Sequence, residues 1–187
     1  MSASLAASSD ADAEAAAQAA AAEGGSCVDA VVAGFFAAAG ADPAVLLSPT
    51  VALIGGVGMG VRCLDGRALQ PGRGAARPRG FVAGSPIPDG SYGAASRSVP
   101  MVALLHTYGA KASLARLVRH GTRAAQRCGA SRRAALLKAI ERHGAGALRT
   151  ADVRRGLLNA AGPAAGGLLT EEDLDAALPE DLPGAAM

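Results

Sequence analysis

Val51-Ala52-Leu53-Ile54-Gly55-Gly56-Val57-Gly58-Met59-Gly60-Val61-Arg62-Cys63-Leu64-Asp65-Gly66-Arg67 is the stretch that decides the fold class. Val51 to Ile54 is short, apolar and partly β-branched, and reads as a buried strand. Gly55 to Gly58 forms a turn, and Met59 to Leu64 is the returning strand of a hairpin. The same glycines invite a phosphate-loop reading, but they show neither G-x-G-x-x-G spacing nor a Gly-Lys-Ser/Thr ending. A strand follows them rather than a helix, so no helix N-terminus would face an anion. A tight hairpin is the reading adopted. Asp65-Gly66-Arg67 comes directly after the second strand, where a guanidinium is rigidly presented. Arg is suited to capturing a carboxylate with two parallel N–H donors. The alternative at this position is a structural Arg67–Asp65 ion pair.

Outward from the hairpin the signals are helical. Ser9 can cap a helix from Asp10 to Glu23, closed by Gly24-Gly25. Ser26 with Asp29 three residues on resembles a capping box that opens a helix over 27–39. On that helix Val28, Val31, Val32, Phe35 and Phe36 fall on one stripe, which predicts a buried face. Its Ala and Gly residues would let another element pack close, and Asp42-Pro43 ends it. After the hairpin, residues 70–97 are rich in Gly, Pro, Arg and Ser and read as a long surface connection. Helices are then predicted at 99–108, 113–127, 131–143, 151–161 and 171–177. Ser113, Ser131, Thr150 and Thr170 supply caps, and Gly109, Gly129, Gly144 and Gly162 supply stops. The tail from Pro179 lacks pattern. The fold class is therefore α+β, mostly helical with a short β-hairpin. Residues 1–178 form one domain, and 179–187 a flexible tail.

The chain has 187 residues, 47 of them Ala, five aromatic and none Trp. Alanine is apolar without bulk, and a buried Leu or Phe contributes roughly 1.5–3 kcal/mol where Ala contributes much less. Such a chain can build only a thin core and is a candidate for a partner surface. Without a Gly period or a dense Cys framework, collagen and disulfide scaffolds are excluded. Cys27, Cys63 and Cys128 read as reduced, buried thiols. The first residues carry no Lys or Arg, and the longest apolar run, 30–41, is shorter than the ~20 residues of a bilayer span. The expectation is a cytoplasmic chain without a membrane partner.

Charge is segregated. Residues 1–61 hold six acids and no Lys or Arg, residues 62–165 carry a net +14, and the last 22 residues add six more acids. Arg116, Arg119, Arg123 and Arg127 form a cationic stripe at helical spacing. A nucleic-acid binder would show such a stripe, but single-strand binding also needs stacking aromatics, and Tyr108 alone does not supply them. The other reading is that the acidic ends, or a partner, neutralise the basic middle. His106, His120 and His143 lack the spacing of a helical metal site, and no Cys pair has ligand spacing, so no metal or cofactor is assigned.

Several of these segments, in order, resemble one family. Gly24-Gly25-Ser26-Cys27-Val28-Asp29-Ala30-Val31-Val32-Ala33 is similar to the G-G-N-A-V-D-A-A-V-A segment of γ-glutamyltranspeptidases. Leu64-Asp65-Gly66-Arg67 resembles their L-D-G-R-E motif. Val102 to Gly109 and Ser113 to Leu117 resemble the helix pair that follows. Gly166-Gly167-Leu168-Leu169-Thr170-Glu171-Glu172-Asp173-Leu174 resembles G-G-x-L-T-x-x-D-L. The order covers most of residues 5–180.

The resemblance implies part of an N-terminal-nucleophile hydrolase α/β/β/α sandwich, assembled from two chains. It implies that Arg67 holds the α-carboxylate of a γ-glutamyl group, with Asp65 in support. A second chain would carry the N-terminal Thr nucleophile, and the substrate would be a γ-glutamyl small molecule or peptide. Against it stand Ala68 where the family has Glu, Leu69-Gln70-Pro71 for Thr-Ala-Pro, and a shortened hairpin. The V-P-G turn is also not kept around Ser98-Val99-Pro100-Met101. No nucleophile or oxyanion donor is assigned here, so the chain holds no complete catalytic set. A relic or binding subunit of the same fold is the alternative, and an Arg-rich nucleic-acid binder the weaker one.

Overall fold

Ser26 and Asp29 close a reciprocal cap at the head of the central helix. The Asp29 amide donates to Ser26 Oγ (3.2 Å), and the Ser26 amide donates to Asp29 Oδ2 (2.6 Å). This helix, α2 (Cys27–Ala41), follows α1 (Ala11–Ala22), whose N-cap is Asp10 rather than Ser9. The computed structural model describes residues 6, 8–56, 58, 60–73 and 84–184. Val28, Val32 and Phe36 of α2 are buried, as the helical stripe predicts. Val31 is instead 57% exposed and Phe35 only half-buried. Both lie beside Ala13 and Ala17 of α1, whose small side chains do not cover them.

Short helix α3 (Ala44–Leu47) leads into β1 (Thr50–Gly56) and β2 (Gly60–Gly66). These strands pair antiparallel, with Leu53 opposite Cys63 and Val51 opposite Asp65. Val57 and Met59 of the turn lie outside the described residues. Then come α4 (Ser98–Thr107), α5 (Leu114–Arg127), α6 (Ser131–His143), α7 (Ala151–Ala161) and α8 (Glu171–Ala176). Ser113 and Thr170 cap α5 and α8 through their side chains, whereas α6 and α7 have no side-chain cap.

The segment beyond Pro179, read in sequence as a patternless tail, returns as β3 (Glu180–Pro183). It pairs antiparallel with β2 and makes the sheet three-stranded, in the order β1-β2-β3. Its sequence, Glu-Asp-Leu-Pro, has no β-branched residue. Side chains tie it in, with Arg62 donating to Asp181 (2.9 Å) and the Tyr108 hydroxyl to the same carboxylate.

One face of the sheet packs on helices. Leu64 is fully buried in a core with Phe36, Met101, Val102, Leu117 and Leu137. The other face, by register, carries Val51, Leu53, Val61, Cys63 and Leu182. Leu53 is 73% exposed there, so among the described residues nothing covers this apolar face.

Small side chains set the closest helix contact, as the Ala- and Gly-rich composition of α2 suggests. A Cβ on Gly40 of α2 would lie 2.1 Å from the Gly121 carbonyl oxygen of α5. One on Gly121 would lie 2.2 Å from the Phe36 carbonyl oxygen. The two backbones therefore touch, and neither position has room for a methyl group. Asp29 joins the same bundle from its side: besides the cap, it accepts from the amides of Lys111 (3.0 Å) and Ala112 (3.0 Å) ahead of α5. Burial alone would push its carboxyl up, but the amides of Lys111, Ser26 and Ala112 outweigh that and hold it below its ordinary value.

Candidate functional site

Asp65 and Arg67 stand at one end of the uncovered sheet face. Asp65 pairs in register with Val51 on one side and Glu180 on the other, which aims its side chain to that face. Gly66 between them is buried against α4, where a Cβ would lie 2.6 Å from the Met101 Cβ. Close approach, rather than backbone conformation, is what calls for glycine here. It lets α4 press on the strand end and fixes where Arg67 emerges.

Asp65 Oδ1 accepts from the Arg67 amide (2.8 Å) and from Arg67 Nε (3.1 Å). Asp65 Oδ2 accepts from Arg67 Nη2 (2.7 Å) and Nε (3.0 Å). The carboxylate thus takes the inner edge of the guanidinium. A guanidinium has five N–H donors, so the outer Nη1–Nη2 edge keeps its donors, on a side chain that is 67% exposed. The arrangement is an ion pair that, among the described residues, leaves one edge of the fork open to a second carboxylate. Arg67 hydrogen bonds, with a smaller contribution from the charge of Arg97, hold the Asp65 carboxyl down at about 2 against the push of burial. Asp65 in turn raises the pKa of Arg67.

Arg97, which sequence reasoning did not single out, completes the cluster from behind. It is 4% exposed and immediately precedes α4. Its Nε donates to the Arg67 carbonyl (2.6 Å), and its Nη1 to the Leu178 carbonyl (3.2 Å) and Glu180 Oε1 (2.9 Å). Its Nη2 stands 3.4 Å from Asp65 Oδ1. Sixteen arginines leave no local signal for this one. Its partners come from the strand end and from β3, and β3 was itself unread.

The remaining candidates are placed apart from this cluster. His106 Nε2 bonds the Ala112 carbonyl (2.8 Å). Burial, then the nearby Arg123, lowers the pKa of half-buried His120, and His143 is exposed. The three cysteines are unpaired but not buried: Cys27 and Cys128 are exposed and Cys63 is half-buried on the open sheet face. Among the described residues no group of His, Cys, Asp or Glu is placed to hold a metal ion, and no helix is long and apolar enough to cross a membrane.

The cationic stripe of α5 meets acids. Arg127 pairs with Asp12 (2.9 Å) and Arg116 with Glu23, both at α1, and Arg119 approaches Glu141 (3.9 Å). Arg154 pairs with Glu171 and Asp175, and Arg62 with Asp181. Among the described residues, the acidic ends of the chain therefore fold back onto five cations of the basic middle, Arg62, Arg97, Arg116, Arg127 and Arg154. Most of these pairs are solvent-exposed, where each contributes about 0–1 kcal/mol.

No protein-family model matches the chain, and no curated protein matches it in sequence. Solved structures do. The γ-glutamyltranspeptidase of Helicobacter pylori superposes with a TM-score of 0.81 at 19% identity, over 97% of this chain and 66% of that one. That of Pseudomonas nitroreducens, in complex with L-DON, gives 0.79 at 17% identity, over 97% and 67%. The Bacillus anthracis transpeptidase CapD gives 0.75 at 15% identity, over 97% and 71%. The chain spans about two thirds of the length of the γ-glutamyltranspeptidase chains it matches. With helices on one side of an antiparallel sheet and the other side open among the described residues, it has the fold of the matching part of those γ-glutamyltranspeptidase chains.

Proposed function

We propose that this chain is the carboxylate-binding portion of a γ-glutamyltranspeptidase-like enzyme. With a second chain carrying an N-terminal Thr, it would transfer or hydrolyse a γ-glutamyl-type amide. The observation that carries the reading is the Arg67 guanidinium, anchored on its inner edge by Asp65 and open on its outer edge. It stands at the rim of an apolar sheet face that nothing among the described residues covers. A charged fork held in advance binds a carboxylate without first having to be ordered. A second sheet laid on Val51, Leu53, Val61 and Leu182 would bury that apolar surface and bring its own groups to the same rim. The nucleophile and the oxyanion donors that acyl transfer needs would come from that partner.

A non-catalytic scaffold subunit of the same fold is the second reading. Ala68 favours it, because Ala stands where the resembling motif has Glu beside the Arg. The pairing of Arg116 and Arg127 with α1 acids speaks against the nucleic-acid reading, since two of the four cations of that stripe already have partners.

The test is turnover of a chromogenic γ-glutamyl anilide by the chain alone and with a co-purified chain whose mature N-terminus is Thr. Turnover is expected only with the partner. Arg67→Ala in that complex should raise KM about 10- to 100-fold, the worth of a charge-assisted bidentate contact, with a smaller change in kcat. Activity of the chain alone would refute the two-chain account, and an unchanged KM would remove Arg67 from the substrate site.

A further inference from the structure

Arg97 is the most completely buried cation among the described residues, and the reaction proposed above assigns it no part. Removing a guanidinium from water costs several kcal/mol unless its donors are met. Here they are met by three separate segments: the strand end at Asp65 and Arg67, the chain after α8 at Leu178, and β3 at Glu180. Two of those four contacts bear on Arg67 itself. Nε holds the Arg67 carbonyl, and Nη2 faces Asp65 Oδ1, the oxygen that also accepts the Arg67 amide and Nε. One rigid plane therefore fixes the backbone of Arg67 and the carboxylate that orients its side chain.

We propose that Arg97 is a positioning residue that sets the direction of the Arg67 guanidinium, so that its outer edge faces the uncovered side of the sheet. The proposal deepens the carboxylate-anchor reading and rests on it for the ligand. Placed between two guanidinia, Asp65 cannot swing toward either without leaving the other. Placed on Asp65 and held by its own carbonyl, Arg67 has few ways to turn. Lys at position 97 would keep the charge and most of the length, but it has no planar fork with which to hold the carbonyl and the carboxylate together.

The experiment uses the full chain, labelled with nitrogen-15, and follows the Arg67 Nε–H resonance while L-glutamate is added as the probe. In the natural chain that proton, shared with both Asp65 oxygens, should exchange slowly with water. In Arg97→Lys it should exchange at least about tenfold faster, with L-glutamate binding about tenfold weaker, while the far-ultraviolet spectrum stays unchanged. Arg97→Gln, read the same way, should show a larger loss of protection and an Asp65 titration midpoint shifted upward. A folded Arg97→Lys variant with unaltered Arg67 protection would overturn the proposal. If the natural chain binds no L-glutamate, the carboxylate reading fails, while the Nε–H exchange still decides whether Arg97 orders Arg67.

Discussion

Replacing Asp65 by Asn removes one negative charge from the strand end and turns one of its two acceptor oxygens into a donating amide. Asn has the same shape, and its side-chain oxygen can still accept from the Arg67 amide. Asp65 titrates from an ordinary 3.8 down to about 2 in the folded chain. At about 1.36 kcal/mol per pKa unit, the shift corresponds to about 2 kcal/mol of stability. Because the Arg67 end of the pair is two-thirds exposed to water, screening reduces this, and about 1 kcal/mol is the figure to test. The sign follows from the direction of the shift. A carboxyl whose folded pKa is depressed stabilises the fold above its unfolded pKa, and that contribution fades as pH falls from about 4 toward about 2.

The assay is urea unfolding of the natural chain and of Asp65→Asn at pH 7, 5, 4 and 3, compared as differences at each pH. Subtraction removes the other depressed carboxyls, Asp29, Asp173 and Asp181, which titrate in both proteins. The gap should be about 1 kcal/mol at pH 7 and 5, begin to close at pH 4, and fall to about half at pH 3. A gap that stays constant down to pH 3 would show that the amide itself disturbs the site. No gap at pH 7 would show that the Asp65–Arg67 pair is not held as described.

Two further substitutions test how the scaffold brings the site together. Gly121→Ala puts a methyl group 2.2 Å from the Phe36 carbonyl oxygen and should lower stability by about 1–3 kcal/mol or more, read as a fall in Tm; an unchanged Tm would mean that α2 and α5 do not touch there. Tyr108→Phe removes the hydroxyl that is the first cause of the depressed Asp181 pKa, so Asp181 should titrate at higher pH and the amides of 180–183 should exchange faster; protection equal to the natural chain would detach Tyr108 from β3.

Local signals carried much of the fold. Ser26 with Asp29, and Thr170 with Asp173, are spaced so that each pair can cap only its own helix, and both caps form. The hairpin was legible because apolar runs flank a glycine turn. What stayed hidden depends on distant partners. Asp29 reaches the amides of Lys111 and Ala112, and Asp173 accepts from the Gly72 amide (2.8 Å), contacts that pin one loop to a far segment. β3 lacks β-branched residues and is tied to β2 from outside its own sequence, with Arg62 and Tyr108 donating to Asp181 and Arg97 to Glu180. The misplaced Val31 and Phe35 show the reverse case: spacing identified a helical stripe, but its width depends on the size of the side chains facing it, and α1 offers alanines.

The reading of Arg67 turns on a choice that spacing alone poses too sharply. An arginine two residues from an aspartate reads either as a structural pair or as a ligand site. The geometry makes the first a condition of the second. A solitary guanidinium on a strand end would rotate freely, and ordering it on binding would cost part of the affinity gained. Pairing its inner edge with Asp65 removes that cost before any ligand arrives, and the five-donor fork still leaves an edge to offer. Lysine could not serve both partners in this way, because a point charge has no second edge. Thus Arg67→Lys should preserve much of the attraction to Asp65 yet lose most of the carboxylate binding. If Arg67→Lys instead binds L-glutamate as tightly as the natural chain does, the open edge of the fork is not what receives the ligand.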